Sequence, residues 1–270
     1  MRIKFWGVRG STPTPEIQNL AYGGNTPCIE VRSDQNDLLI LDGGSGLRRL
    51  GQSLIDEFKD ETLSISMLLT HFHWDHIQGI PFFVPLYRQD NKMDFYAHGS
   101  LGALRERLYG QMSKPYFPVS LDIGARQDFM EFSSEELRVC GLRVRSFPLN
   151  HPQGCCGYRI ESARGTVVLA CDHEHGDARA DRIVREYSQK ADILIYDSQY
   201  TPEEYPSHKG WGHSTWEEAV RVARDAGVEQ LILFHHDPWH NDQKVLEIHR
   251  QARRQFENTL AATEGWSVEL

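Results

Sequence analysis

Short apolar runs recur along the chain at strand length: Ile3–Val8, Cys28–Val31, Leu38–Leu41, Ser64–Leu69, Asp94–Ala97, Leu142–Phe147, Thr166–Ala170, Ile193–Tyr196 and Gln230–Phe234. Between some of them the period lengthens. Leu47, Leu50, Leu54 and Phe58 repeat along Leu47–Glu57 with the spacing of an amphipathic helix. Ser100 caps a predicted helix that runs through Gln111, and Asp181–Gln189 and Gln243–Phe256 predict two more. Ser214-Thr215-Trp216-Glu217 opens a helix with a capping-box pattern, and Gly227 ends it. Strands mixed with helices, without a steady βαβ alternation, predict an α/β fold of two helix-covered sheets rather than a doubly wound one. No linker or low-complexity segment interrupts the pattern, so a single domain over residues 1–270 is expected. Leu38–Asp42 and Thr166–Asp172 are both apolar strands ending in aspartate, a faint similarity between the halves.

Charge changes the picture little. Lys plus Arg number 29 against 38 Asp plus Glu, a formal net charge of -9. Such a chain repels polyanions, so no extended nucleic-acid footprint is expected. Five cysteines, without a CxxC spacing, argue against a disulfide framework and for a reducing compartment. Met1-Arg2-Ile3-Lys4-Phe5-Trp6 enters a strand directly, and no apolar run reaches membrane-spanning length. A cytoplasmic protein with no membrane contact is the expectation.

Histidine changes it a great deal. The 13 histidines cluster, and the densest group is His71-Phe72-His73-Trp74-Asp75-His76, directly after the apolar strand ending at Leu69-Thr70. Alternate side chains of an extended segment share a face, so His71 and His73 converge on one point. The turn at Ile77-Gln78-Gly79 then aims Asp75 and His76 at a neighbouring point. Imidazole and carboxylate suit zinc, manganese or iron. The plain alternative is a surface histidine cluster.

HFHWDH resembles the H-x-H-x-D-H signature of the metallo-β-lactamase superfamily, and the chain looks like its phosphodiesterase branch, the group around ribonuclease Z. Gly7-Val8-Arg9-Gly10-Ser11-Thr12-Pro13, Asn25-Thr26-Pro27 and Leu41-Asp42-Gly43-Gly44-Ser45-Gly46 are similar to that branch's first strands and loops. The resemblance implies an αββα four-layer sandwich, with two mixed sheets packed face to face and helices outside. It implies that His151 and the bridging Asp172 join His71 and His73 at one divalent metal. Asp75, His76, His235 and the shared Asp172 would hold a second. Zinc or manganese is expected, and iron also suits the ligands. His236 is the alternative to His235, and Asp42 is read as a buttress behind a ligand. His173 and His175 have no family role and are expected to face solvent. Alternation points Cys171 into the core, and Cys155 and Cys156 have no reading beyond packing.

Two metals roughly 3.5–4 Å apart activate a bridging water and clamp the oxygens of an in-line displacement. A leaving alkoxide also needs a proton. His213, in Gly212-His213-Ser214-Thr215, is similar to the H-x-T histidine of the ribonuclease Z-like enzymes, and Asp197 stands where they carry its acidic partner. The catalytic set implied is Asp75, His213 and Asp197. Lys114-Pro115-Tyr116-Phe117-Pro118 is a stiff aromatic loop that either stacks a nucleobase or plugs the core. Tyr116, Phe117, Ser45 and Trp211 are the substrate-contact candidates, with His98, Asn25 and Thr26 behind them.

The leading expectation is a hydrolase of a small-molecule phosphodiester, 3′,5′-cyclic AMP or GMP, as in the compact bacterial cyclic-nucleotide phosphodiesterases. The alternative is a tRNA 3′-processing endoribonuclease, whose basic recruiting arm has no match in this sequence. A non-hydrolytic di-iron or metal-holding protein is the third reading. A homodimer is expected by analogy alone.

Overall fold

The computed structural model describes residues 1–132 and 136–270. Its strands are β1 (Arg2–Gly7), β2 (Cys28–Arg32), β3 (Leu38–Leu41), β4 (Ser64–Leu69), β5 (Lys92–Ala97), β6 (Arg126–Glu131), β7 (Glu136–Val139), β8 (Leu142–Leu149), β9 (Cys155–Glu161), β10 (Thr166–Ala170), β11 (Ile193–Asp197), β12 (Gln230–Phe234), β13 (Thr259–Ala261) and β14 (Ser267–Glu269). They form two seven-stranded sheets, in the orders β14-β1-β2-β3-β4-β5-β6 and β13-β12-β11-β10-β9-β8-β7. Both are mixed: β3 to β6 run parallel in one, and β10 to β13 run parallel in the other.

Side-chain alternation builds the layers. Leu39 and Leu41 of β3, Val167 and Leu169 of β10, and Ile232 and Phe234 of β12 meet in one cluster between the sheets. Their neighbours Leu38 and Ile40 face outward under α1 (Leu47–Phe58), and the same outer cluster takes Leu104 and Leu108 of α3 (Leu101–Gln111). On the far side, Val168, Leu194 and Leu233 pack under α4 (Ala178–Ser188), α6 (Trp216–Ala226) and α7 (Asp242–Gln255). The strands are therefore apolar on both faces, which is why they read as continuous apolar runs. Each large aliphatic side chain so buried contributes roughly 1.5–3 kcal/mol. The result is the four-layer α/β sandwich expected.

Five strands were not predicted. β9 opens Cys-Cys-Gly, and Gly157 is there because a Cβ would fall 2.4 Å from the Phe147 ring. β6 is polar, partly exposed and at a sheet edge, and β7, β13 and β14 are short. The α4 helix starts before Asp181 because Asp177 caps it, accepting from the backbone of Arg179 and Ala180. In α6 Thr215 is the cap, accepting from Glu218 N, and Gly227 takes the left-handed conformation at φ 61. The short helices α2 (Trp74–Ile77) and α5 (Tyr205–His208) carry no sequence periodicity long enough to predict. Among the described residues no helix is long and apolar enough to cross a membrane.

Candidate metal centre

The carboxyl ends of β3, β4, β8, β10, β11 and β12 come together at one rim of the sandwich, and the histidine-rich turns follow them. β8 points the same way as β10 because each pairs antiparallel with β9. Asp42 and His235, each the first residue after its strand, and Asp172, the second after β10, take left-handed φ values of 60, 62 and 59. This conformation is unfavourable for residues with a Cβ and clusters at functional sites.

Five histidine rings face a common space, and each has one nitrogen held from behind. His76 Nδ1 donates to Asp42 at 2.9 Å, and His71 Nδ1 is 3.0 Å from Thr70 Oγ1, which itself donates to Asp42. His151 Nδ1 donates to Gly212 O at 2.8 Å, His235 Nδ1 to Gln199 Oε1 at 2.9 Å, and His73 Nε2 to Gln153 Oε1 at 3.1 Å. This is the support that fixes the tautomer of a metal-binding imidazole. Asp42 was legible as a buttress. Thr70, Gln153, Gln199 and the Gly212 carbonyl were not, because no local pattern ties them to the rings they hold.

The other nitrogens point inward. His71 Nε2 and His76 Nε2 are buried without a hydrogen-bond partner. Coordinating atoms of His71, His73 and His151 lie within 4.8 Å of one another, as do those of His76, Asp172 and His235. Asp75 Oδ2 is 3.3 Å from both His76 and His235, and Ser11 N donates to it at 2.8 Å. Asp172 reaches both groups, with one oxygen 3.2 Å from His76 Nε2 and the other 3.9 Å from His151 Nε2. Burial alone would lower the pKa of His76, but Asp172, Asp75 and Asp42 push it well above its ordinary value. Buried carboxylates around imidazoles demand positive charge, and divalent cations meet that demand with these donors. The residues present therefore fit divalent metal.

Two glycines let the rings seat. A Cβ on Gly10 would lie 2.5 Å from His235 Nδ1, and one on Gly212, at φ 91, would lie 2.2 Å from His151 Nδ1. His235 is the ring turned into the cluster. His236 turns away, with Nε2 donating to Ala262 O at 2.9 Å.

His213 stands beside this centre, buried, its ring stacked on His235 at 5.0 Å. Its Nδ1 donates to Asp197 at 2.8 Å, leaving Nε2 for another partner. Burial opposes the charged form, but the Asp197 carboxylate prevails and pushes its pKa up to about 9. Asp197 also accepts from the backbone of Asp172, Gln199 and Ser214.

Other residues depart from expectation. His173 is fully buried, not solvent-facing: its Nδ1 accepts from Asn150 N, and its Nε2 donates to Asp181, both at 3.2 Å. His175 is half-buried, its ring tilted against that of Tyr205 with centroids 4.3 Å apart. Cys171 belongs to the inter-sheet core, yet its thiol also donates to Asp172 at 2.8 Å. Strand alternation missed this because the chain turns at Asp172. Of the substrate candidates, Tyr116 is exposed and lines the cavity beside His71 and His73. Phe117 packs edge-on against Phe82 at 5.7 Å, as a plug does. Ser45 is tied into its own loop, donating to Asn25 and accepting from Thr26 N. Trp211 is exposed beside His208, outside the cavity wall. His98 lines the cavity, with Nε2 bonded to Ser146 Oγ at 2.9 Å.

Residues 57–236 match the family model of the beta-lactamase superfamily domain. A ribonuclease Z from Thermoplasma acidophilum is 26% identical over 310 aligned positions, which take in 100% of this chain and 96% of that protein. Among solved structures, the metallo-beta-lactamase fold protein YhfI from Bacillus subtilis superposes with a TM-score of 0.75 at 22% identity, covering 99% of each chain. A diphosphatase from the PhnP family gives 0.71 at 19% identity, covering 100% of this chain and 97% of its own. At these identities the structural likeness speaks to the fold.

Proposed function

Because the chain belongs to the beta-lactamase superfamily, we propose that it is a metal-dependent phosphoric diester hydrolase whose substrate is the 3′ region of an RNA. The observation that carries the hydrolase reading is the His213–Asp197 pair at 2.8 Å beside the metal cluster. His71, His73, His151 and Asp172 would hold one divalent ion, and Asp75, His76, His235 and the shared Asp172 a second, with zinc or manganese the expected occupants. Ions bound there supply positive charge to phosphoryl oxygens and acidify water. Asp172, through its two oxygens, keeps the two histidine groups in register, and Ser11 N–H fixes the angle of Asp75. Asp197 keeps a proton on His213 Nδ1 and, by its charge, one on Nε2. His213 then donates the Nε2 proton to the departing alkoxide, and the site closes its cycle by taking a proton from water.

RNA is preferred because curated relatives that match along the whole chain carry the name ribonuclease Z. The expectation of cyclic nucleotides receives no support from the relatives. It stays as the second reading on two observations. The formal charge is -9, and the alignment with the T. acidophilum protein runs over 310 positions for 270 residues, so that relative carries stretches this chain lacks. Metal-reconstituted protein offered pre-tRNA, cyclic AMP, cyclic GMP and bis(4-nitrophenyl) phosphate decides. Cleavage of pre-tRNA at the 3′ side is the expected result. Turnover of cyclic nucleotides without pre-tRNA cleavage would transfer the assignment to the second reading, and no turnover of any diester would reject both.

A further inference from the structure

A thiol stands among the ligand atoms of the second histidine group. Cys171, His76, His235 and Asp172 are all buried, and one ligand atom from each lies within 4.8 Å of the other three. Cys171 Sγ reaches Asp172 Oδ2 at 2.8 Å, the length of an O–H···O bond and close for the larger sulfur atom. The same oxygen is 3.2 Å from His76 Nε2, and Asp172 Oδ1 is 3.5 Å from His235 Nε2. His76 Nε2, fully buried and without a hydrogen-bond partner, points into this group. Donors about 2.0–2.3 Å from one zinc ion stand roughly 3.3–3.8 Å from each other, so small adjustments would let these four enclose an ion.

The other cysteines are placed differently. Cys155 Sγ is 3.7 Å from His71 Nδ1, the nitrogen held from behind by Thr70. Cys156 Sγ turns to the Thr70 carbonyl and the Tyr158 hydroxyl, and Cys140 Sγ to the Leu38 carbonyl. Cys28 is packed in the apolar cluster under α1.

We propose that Cys171 is a further ligand of the second metal ion, binding as a thiolate beside His76, His235 and Asp172. On ligation the thiol proton leaves to water and a sulfur electron pair takes the metal. Sulfur is a soft donor, so the second site would favour zinc over manganese, whereas three imidazoles and a carboxylate give the first site no such bias. The competing role is a neutral thiol that only steadies Asp172, which a serine hydroxyl would fill equally well. The proposal rests on the metal-centre part of the proposed function and not on its substrate.

Protein exchanged into Co2+ tests it, read by absorption rather than by turnover. The wild type holding two cobalt ions should show an intense sulfur-to-cobalt charge-transfer band in the near ultraviolet. Cys171→Ser, which keeps the hydrogen bond and nearly the size of the side chain, should lose the band, and Cys155→Ala should keep it. Cys171→Ser should also weaken zinc at the second site by at least about tenfold, and manganese less. No band in the two-cobalt wild type, a result that needs no variant to fold, would overturn the proposal. So would a band that survives Cys171→Ser. If the band depends on Cys171 in a protein that hydrolyses no diester, the ligand stands and the hydrolase reading fails alone.

Discussion

Glu174 holds the backbone of Gly212: its Oε2 accepts Gly212 N–H at 2.8 Å, while Oε1 accepts Gly210 N–H at 2.7 Å. The Gly212 carbonyl in turn accepts from His151 Nδ1, and the next residue is His213. One buried carboxylate thus sets the loop that holds the His151 ring and carries His213. Glu174→Ala should lower activity and metal affinity by about 10- to 100-fold, the usual cost of removing an outer support. Glu174→Gln keeps one acceptor and should lose much less. Metal titration followed by kinetics on both variants measures this, and wild-type behaviour of Glu174→Ala would show that the carboxylate has no positioning role.

Elemental analysis of protein purified without chelator should approach two transition-metal ions per chain, because Asp172 reaches both histidine groups. Asp172→Ala should drop the content toward one or below. Chelation should lower the melting temperature of the wild type, since a ligand bound only by the folded state stabilises it. A saturated ratio near one in the wild type would remove Asp75 or His235 from the ligand set.

His213→Ala should leave the metal content unchanged and lower hydrolysis of ordinary diesters by roughly two to four orders of magnitude. Bis(4-nitrophenyl) phosphate needs little help in leaving and should suffer far less. The pH dependence carries a sign. A proton donor whose pKa is raised to about 9 is charged below that pH and loses its proton above it. Wild-type activity on a poor leaving group should therefore fall as pH rises through about 9, and the variant should show no such limb. Equal losses on both substrates would make His213 a structural residue.

Salt separates the two substrate readings. Binding an extended RNA releases many counterions and gives a steep dependence on ionic strength, whereas a cyclic nucleotide carries a single phosphate charge. Activity on pre-tRNA should fall sharply between low and physiological salt, while any activity on cyclic AMP should change little. A flat profile on pre-tRNA would speak against a polyanionic contact.

Arg9 is a matter of stability. The side chain is fully buried and donates to the carbonyls of Gly23, Asn19, Asp237 and His240, tying the first loop to the turn after His235. Arg9→Met would strand these carbonyls and should cost about 2–4 kcal/mol in a denaturant melt. A loss below about 0.5 kcal/mol would mean that water replaces the guanidinium without penalty.

The sequence by itself determined the layers and the chemistry. Apolar runs such as Thr166–Ala170 face a core on both sides, so their hydrophobicity is local and readable. HFHWDH packs four ligand-type side chains into six consecutive residues, an extended His71-Phe72-His73 followed by the turn of α2, so local geometry brings them together. Asp42, Asp172, His213 and Asp197 were legible through resemblance, each beside a strand end or a helix cap. Only the tertiary structure decided what stands behind and beside them. Gln153, Gln199, Glu174 and the Gly212 carbonyl act across loops far apart in the chain, at contacts that no periodicity encodes. Burial decided the spare histidines and aromatics: His173 sits inside a polar network, His236 turns from the centre, Phe117 plugs the core, and Tyr116 stays free at the cavity. Residue type gives each its chemistry, but which face of a loop meets solvent is fixed only when the two sheets close around it.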